Sequence, residues 1–205
     1  EIACHADYDA LRAILGEPLC AFEQANHYVD TARGEINKQR HLLRFRVKNG
    51  QVRLTAKSPI AADSGVMIRN EWECDVAPLV WSSLRCGELS WGPWICTALA
   101  AMSSSFPRHL LQLPLQNVGA MVTRRAVHPL LQLGVGVELH LDSTTLPDGK
   151  TVFEAEIELG DEVDDLAAMA HRVRSLWESW GQTWQPTTTT KQERFWRALN
   201  LENGE

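Results

Sequence analysis

The sequence predicts an α+β fold, an antiparallel β-sheet with helices packed outside it. Three observations carry that prediction. Asn49-Gly50 joins two alternating segments within LLRFRVKNGQVRLTAK (42–57), further segments alternate with period two at 66–76, 117–128, 136–142 and 151–159, and stretches of helical apolar spacing interrupt and follow them. Asn-Gly is the strongest short hairpin signal, because both central residues of a type I′ turn need positive φ. Alternation means one face per sheet side, since successive strand side chains point in opposite directions.

In chain order, DALRAILG (9–16) has helical spacing with a glycine stop. Residues 17–26 read as loop, and NHYVDT (26–31) as a short strand whose Asp30-Thr31 begins a turn. In the hairpin, Leu43, Phe45 and Val47 share one face, and Arg44, Arg46 and Lys48 the other; Val52, Leu54 and Ala56 then alternate with Arg53, Thr55 and Lys57. SPIAADSG (58–65) is loop by composition. Val66–Val76 is predicted as one strand, with Arg69, Glu71, Glu73 and Asp75 on one face. Residues 77–112 lose the period of two and predict a helical insert, with helices over about 77–87 and 93–104 broken at Gly92-Pro93 and a loop around Pro107 and Pro114. NVGAMVTRRAVH (117–128), GVELHLD (136–142) and TVFEAEIEL (151–159) are strands, with Glu138, His140 and Asp142 on one face of the second, Glu154, Glu156 and Glu158 on one face of the third, and Asp148-Gly149 turning between them. Glu162–Trp180 is an amphipathic helix carrying Leu166, Met169, Val173, Leu176 and Trp180 at three- and four-residue spacing, with acids at Asp161–Asp165 in its first turn. Pro186 and Thr187–Thr190 form a linker, and Lys191–Leu201 a closing helix. The whole chain, 1–205, reads as one domain with its C-terminal helices over about 162–201.

Composition removes several classes of function. A chain of 205 residues, 44% apolar and 22% charged, can bury a real core. No segment approaches the ~20 apolar residues that cross a membrane, and no secretory leader is visible. Cys4, Cys20, Cys74, Cys86 and Cys96 are odd in number and lack metal-ligand spacing, so they read as reduced thiols of a cytoplasmic protein. A net charge of −6 disfavours nucleic acid. An acidic protein with a cationic strand face suggests a small anionic ligand in a confined site.

The strand faces are sorted by sign: 44–57 and 124–125 cationic, 69–75 mixed, 138–158 acidic. The pattern fits either charged faces in water or a barrel with those faces inward. Inward, the cations would hold an anion and the carboxylates a hard dication such as Mg²⁺ or Mn²⁺. Acids crowded at 154, 156 and 158 are expected to repel one another.

The series NHYVDT, LLRFR, LTAK, RNEWE, VTRR, VELHLD, FEAEIEL and the TK before the last helix resembles, in order and across most of the chain, the CYTH superfamily of triphosphate tunnel metalloenzymes. The resemblance implies an antiparallel eight-stranded barrel around a charged tunnel, and hydrolysis of inorganic or thiamine triphosphate or cyclisation of ATP. It places Arg44, Arg46, Lys57, Arg69, Arg124 or Arg125, and Lys191 on the substrate phosphates. It places Glu71, Glu73, Asp142, Glu154 and Glu156 on the metal, with Glu158 in register behind them, and Tyr28 at the family's strand-two tyrosine. His27, His128 and His140 receive no role from it and read as core or solvated residues. The family's opening strand has the pattern ExExK, whereas residues 1–5 read EIACH. The helix spacing puts the expected lysine before Glu1, so that strand is expected to be missing from this sequence. The leading expectation is a Mg²⁺- or Mn²⁺-dependent inorganic triphosphatase. An adenylyl cyclase, a thiamine triphosphatase and a polyphosphate-binding module without turnover are the alternatives.

Overall fold

The computed structural model describes residues 2, 4–59, 61–63, 66–102, 104–134, 136–159, 165–182 and 189–202. The strands are β1 (Cys20–Asp30), β2 (Leu42–Lys48), β3 (Gln51–Lys57), β4 (Ala61–Asp63), β5 (Val66–Ile68), β6 (Glu71–Val76), β7 (Gln116–Pro129), β8 (Glu138–Thr145) and β9 (Thr151–Glu158). The helices are α1 (His5–Leu15), α2 (Glu35–Lys38), α3 (Pro78–Cys86), α4 (Trp91–Ala101), α5 (Arg108–Leu111), α6 (Leu166–Ser179) and α7 (Lys191–Glu202). Seven strands are hydrogen-bonded in the order β6-β3-β2-β1-β7-β8-β9, and β4 with β5 form a separate two-stranded ladder. The expected α+β architecture, an antiparallel sheet with helices, is the one observed.

The Asn49-Gly50 hairpin forms as predicted, with φ of 51° and 76° at the two turn residues and a register running from Leu42↔Lys57 to Lys48↔Gln51. Other boundaries differ from the sequence reading. β1 begins at Cys20, inside the expected loop: the Leu19 N–H just before it donates to Val127 on β7 at 2.8 Å, β7 is its sheet neighbour, and its backbone from Gln24 onward pairs with β2. Tertiary pairing there overrides weak local propensity. The expected strand 66–76 is two strands, with Arg69 and Asn70 between them, and Ala61–Asp63, expected as loop, is β4. Asn70 closes against Ser58 by two hydrogen bonds, at 3.0 and 2.9 Å. Gly92-Pro93 is not a helix break. Both lie in the first turn of α4, where a missing N–H costs nothing. The break falls after α3, at Gly87 with φ of 79°. α2 and α5 are additional short helices. β8 starts at Glu138 and continues through Ser143–Thr145. α6 starts at Leu166 with Asp165 as its cap, the side chain accepting from the Ala168 N–H. The remaining acids of that stretch, and most of the expected linker, lie outside the described residues.

The chain divides into two compact units. One comprises residues 24–61 and 68–121. Its core takes the apolar face of the hairpin, Leu43, Phe45, Leu54 and Ala56, all at most 1% exposed. Helices of the insert supply the other side: Phe45 stacks on Trp81 at 5.2 Å and meets Trp91 edge-on at 5.4 Å. The other unit comprises residues 1–23, 62–67 and 122–205. Its core joins Tyr8 and Leu11 of α1, Leu139 and Leu141 of β8, and Met169, Val173 and Trp177 of α6.

Asp30 shows why the turn after β1 is specified. Its buried carboxylate accepts from the backbone N–H groups of Thr31, Ile36 and Asn37 at 2.7, 2.9 and 2.9 Å. Asp30→Ala removes the acceptor of three backbone donors, two of them in buried hydrogen bonds, and is expected to cost at least about 2 kcal/mol, read as a loss in chemical denaturation. Gly92→Ala is expected to destabilise as well, by about 1–3 kcal/mol, although alanine is the better helix former. A Cβ at Gly92 would lie 2.2 Å from the Leu111 carbonyl oxygen. A neutral or raised midpoint in Gly92→Ala would show that α4 can move off residue 111.

Candidate active site

The hairpin places its cations by cross-strand register. Arg44 faces Thr55, Arg46 faces Arg53, and β6 then sets Glu71 opposite Lys57, Glu73 opposite Thr55 and Asp75 opposite Arg53. Neighbours on one sheet face interact directly, so the acids of β6 meet the bases of β3. Lys57 contacts Glu71, and Arg44 Nη2 lies a long 3.9 Å from the same carboxylate. Thr55 donates to Glu73 at 2.7 Å, while Arg53 reaches Glu73 at 3.3 Å and Asp75 at 3.1 Å. Arg46 Nε donates to Asn26 at 3.2 Å. This is not a solvated face: the side chains of Arg44 and Lys57 are only 12% and 14% exposed, and Thr55 is fully buried.

The cations are incompletely compensated. Arg44 Nε is buried and donates to nothing among the described residues. Burial, then repulsion from Arg44, pushes Lys57 down to about 8, and Glu71 offsets this only in part. Burial would raise Glu73, but the Thr55 hydrogen bond and then Arg46 and Arg44 outweigh it and lower it. Arg69 lies just before β6 and is half-buried. Tyr28, directly opposite Arg44 on β1, is 4% exposed.

The second cluster lies in the other unit. Arg125 on β7 faces Asp142 on β8, which faces Glu154 on β9; His140 faces Glu156, and Glu138 faces Glu158. Asp142 is fully buried. Arg125 grips it with two hydrogen bonds of 2.7 Å, and Lys191, the first residue of α7, lies 2.5 Å away. Lys191 is ringed by acids, with Glu154 and Glu156 each at 3.4 Å. Arg194, one turn further along α7, pairs with Glu154 at 2.8 Å. Arg124 points the other way, as alternation demands. It is 80% exposed and pairs with Glu23 at 3.1 Å. Of the two arginines left open by the sequence, the structure brings Arg125 to the acids.

Here the expectation of mutual repulsion on β9 gives way. Loss of water would raise Glu156, but Lys191 and then Arg125 more than offset it and hold the carboxyl at about 2. Burial likewise would raise Asp142, and the same two cations lower it. Lys191 is raised in return, by Glu156, Asp142 and Glu154 against its burial.

Alternation put Thr55 on the face of Arg53 and Lys57 and His140 on the face of Glu138 and Asp142 without giving either a role, and it did not single out Arg194 or Asn26. Arg194 was findable, because a residue three beyond Lys191 shares its helix face. Asn26 and Thr55 gave no signal beyond their strand positions.

A carboxyl held below its ordinary 4.5 favours the fold above that pH and loses its contribution as pH falls toward about 2. Glu156→Gln is therefore expected to lower the melting temperature at neutral pH without metal. The gap should shrink below pH about 4.5 and close near about 2. A variant that melts higher than the parent at pH 7 would restore repulsion as the dominant effect.

Comparison with known proteins agrees with this fold. The CYTH domain family model matches residues 2–193. No curated protein matches by sequence. Among solved structures, a protein of Hippeastrum, named for a proposed adenylyl cyclase activity and described as having a dominant triphosphatase activity, is 19% identical with a TM-score of 0.77, over 96% of this chain and 92% of that one. A proposed adenylate cyclase of Bacillus halodurans is 21% identical with a TM-score of 0.67, over 95% and 93%. The PH1819 protein of Pyrococcus horikoshii is 16% identical with a TM-score of 0.57, over 98% and 95%. With a family model spanning nearly its whole length, this chain belongs to the CYTH domain family.

Proposed function

We propose that this chain hydrolyses a triphosphate, inorganic triphosphate first, using Mg²⁺ or Mn²⁺. The observation that carries the reading is the convergence of Asp142, Glu154 and Glu156 on a single ammonium, Lys191. Three carboxylates around one cation are a hard-oxygen donor set of the kind Mg²⁺ and Mn²⁺ take. Glu154 Oε2 fits that use, being buried without a hydrogen bond among the described residues. Asp142, Glu154 and Glu156 would hold the ion, which would neutralise phosphate charge and make a bound water more acidic.

Phosphate binding is assigned to Arg44, Arg46, Lys57, Arg125 and Lys191. Arginine's planar fork suits two oxygens at once, and Lys57 supplies a point charge. Glu71, Glu73 and Thr55 orient those bases, and Arg69 adds positive charge near Lys57. Phosphoryl transfer asks mainly for such positioning and charge stabilisation. Cytoplasmic location is part of the reading. It is supported by five free cysteines, and no described helix is long and apolar enough to cross a membrane. The second reading is ATP cyclisation, favoured by the names of the Hippeastrum and Bacillus relatives.

The test is phosphate release from inorganic triphosphate with Mg²⁺, alongside product analysis with ATP. Turnover is expected with triphosphate, and Glu154→Gln should lower kcat by roughly 100-fold or more, the scale for losing one preorganised electrostatic group. Cyclic AMP without triphosphate hydrolysis would give the second reading the field. A pH measurement separates the cationic cluster. With Lys57 at about 8, its contribution to triphosphate affinity should fall away as pH rises through that value. Affinity measured from pH 6.5 to 9.5, about the window set by that shift, should lose this step in Lys57→Met. Parallel profiles in parent and variant would take Lys57 off the phosphate.

A further inference from the structure

A cavity of about 1080 Å³ between α1 and β7 takes no part in the reading above. All of its walls belong to one compact unit. Successive strand residues alternate, so Arg124 and His128 share one face of β7, and Arg125, bound to Asp142, has the other. The cavity therefore lies on the sheet face away from the acid cluster. Across it, Tyr8 and Arg12 stand one turn apart on α1.

Most charges around the cavity are already matched. Asp9 meets His5 at 3.0 Å, and Glu23 meets Arg124 at 3.1 Å. The Arg12 guanidinium has no ion pair or hydrogen bond among the described residues. Glu17, just past α1, is likewise without an ion pair there, but Arg12 is the charged group that acts on both Tyr8 and His128. The inner end of the cavity is thus positive. His128 is 3% exposed, and its Nδ1 is buried without a hydrogen bond among the described residues. Buried polar atoms are nearly always partnered, so an unmet one beside a cavity marks a place for a ligand. Burial, then the Arg12 charge, hold the ring below its ordinary pKa, and a neutral imidazole keeps one N–H to donate. The remaining wall is aromatic. Phe22 and Phe153 are half-buried there, and Phe153 packs 4.7 Å from Tyr8 and 5.3 Å from the His5 ring. Aromatic walls with a few converging polar groups are the usual make-up of small-ligand pockets, and this volume is ample for a mononucleotide.

We propose that this groove binds a planar aromatic ring carrying one anionic group, with Arg12 on the anion, His128 hydrogen-bonded beside it, and Phe22 and Phe153 against the ring. Phosphate and carboxylate both suit an arginine fork, so an aromatic nucleotide and an aromatic acid share the required chemistry.

The test titrates the full chain, without metal, with AMP and separately with indole-3-acetate. Affinity is read by calorimetry and the site by NMR of ¹⁵N-histidine-labelled protein. At least one of the two is expected to bind and to shift the His128 resonance, and the one that binds identifies the anionic group. Arg12→Gln should weaken that binding by at least about 10-fold, the scale of one charged hydrogen bond. Arg12 is exposed, so this variant keeps the fold. Lys57→Met should leave the affinity unchanged, which separates this groove from the cationic hairpin. The result is therefore independent of whether triphosphate is hydrolysed. A His128 resonance unmoved by both compounds, or equal affinity in Arg12→Gln, would overturn the site.

Discussion

The buried carboxylate of Asp142 constrains the unit around it more than any other group. A fully buried charge is tolerable only when it is paired and hydrogen-bonded, and removing one partner of such a pair costs several kcal/mol. Asp142 meets that requirement with Arg125 from β7 and Lys191 from α7. The register of β7 on β8 and the position of the α7 N-terminus are therefore tied to one side chain. Arg194 extends the tie by pairing with Glu154, so α7 is held to β8 and β9 by charge at successive turns.

The two charged clusters are balanced in opposite senses. On β9 and β8, Asp142, Glu154 and Glu156 each have a resident cation, and Glu156 is stabilised in its charged form. On the hairpin, Arg44 has a buried donor without a hydrogen bond among the described residues, and Lys57 is destabilised in its charged form. A polyanion relieves the second condition directly. A dication entering the first must compete with Lys191 or Arg125, the same side chains assigned to phosphate.

Much of this was legible in the order of residues. Alternation assigned Arg44, Arg46 and Lys57 to one face and Glu154 and Glu156 to another, and Asn49-Gly50 located the hairpin. The motif order indicated the family. Errors came where local pattern and tertiary pairing diverge. Residues 20–25 lack a strong strand signal and become strand because the neighbouring strands β7 and β2 offer ladders. Gly92-Pro93 looks like a break, but proline is harmless in a first turn, and glycine there lets α4 lie against the Leu111 carbonyl.

By itself, then, the sequence determined the secondary periods, the hairpin turn, the sign of each strand face and the kind of ligand such faces suit. Those properties are local, set by side-chain type and the two-residue pleat. Tertiary structure alone decided which charges meet. It chose Arg125 over Arg124, closed Lys191 onto Asp142 from 49 residues away, and turned three repelling acids into a compensated cluster. It also buried His140 between Glu138 and Glu158. The reason is physical: alternation says which way a side chain points, whereas its protonation and partners depend on what the folded chain brings opposite it and how much water remains.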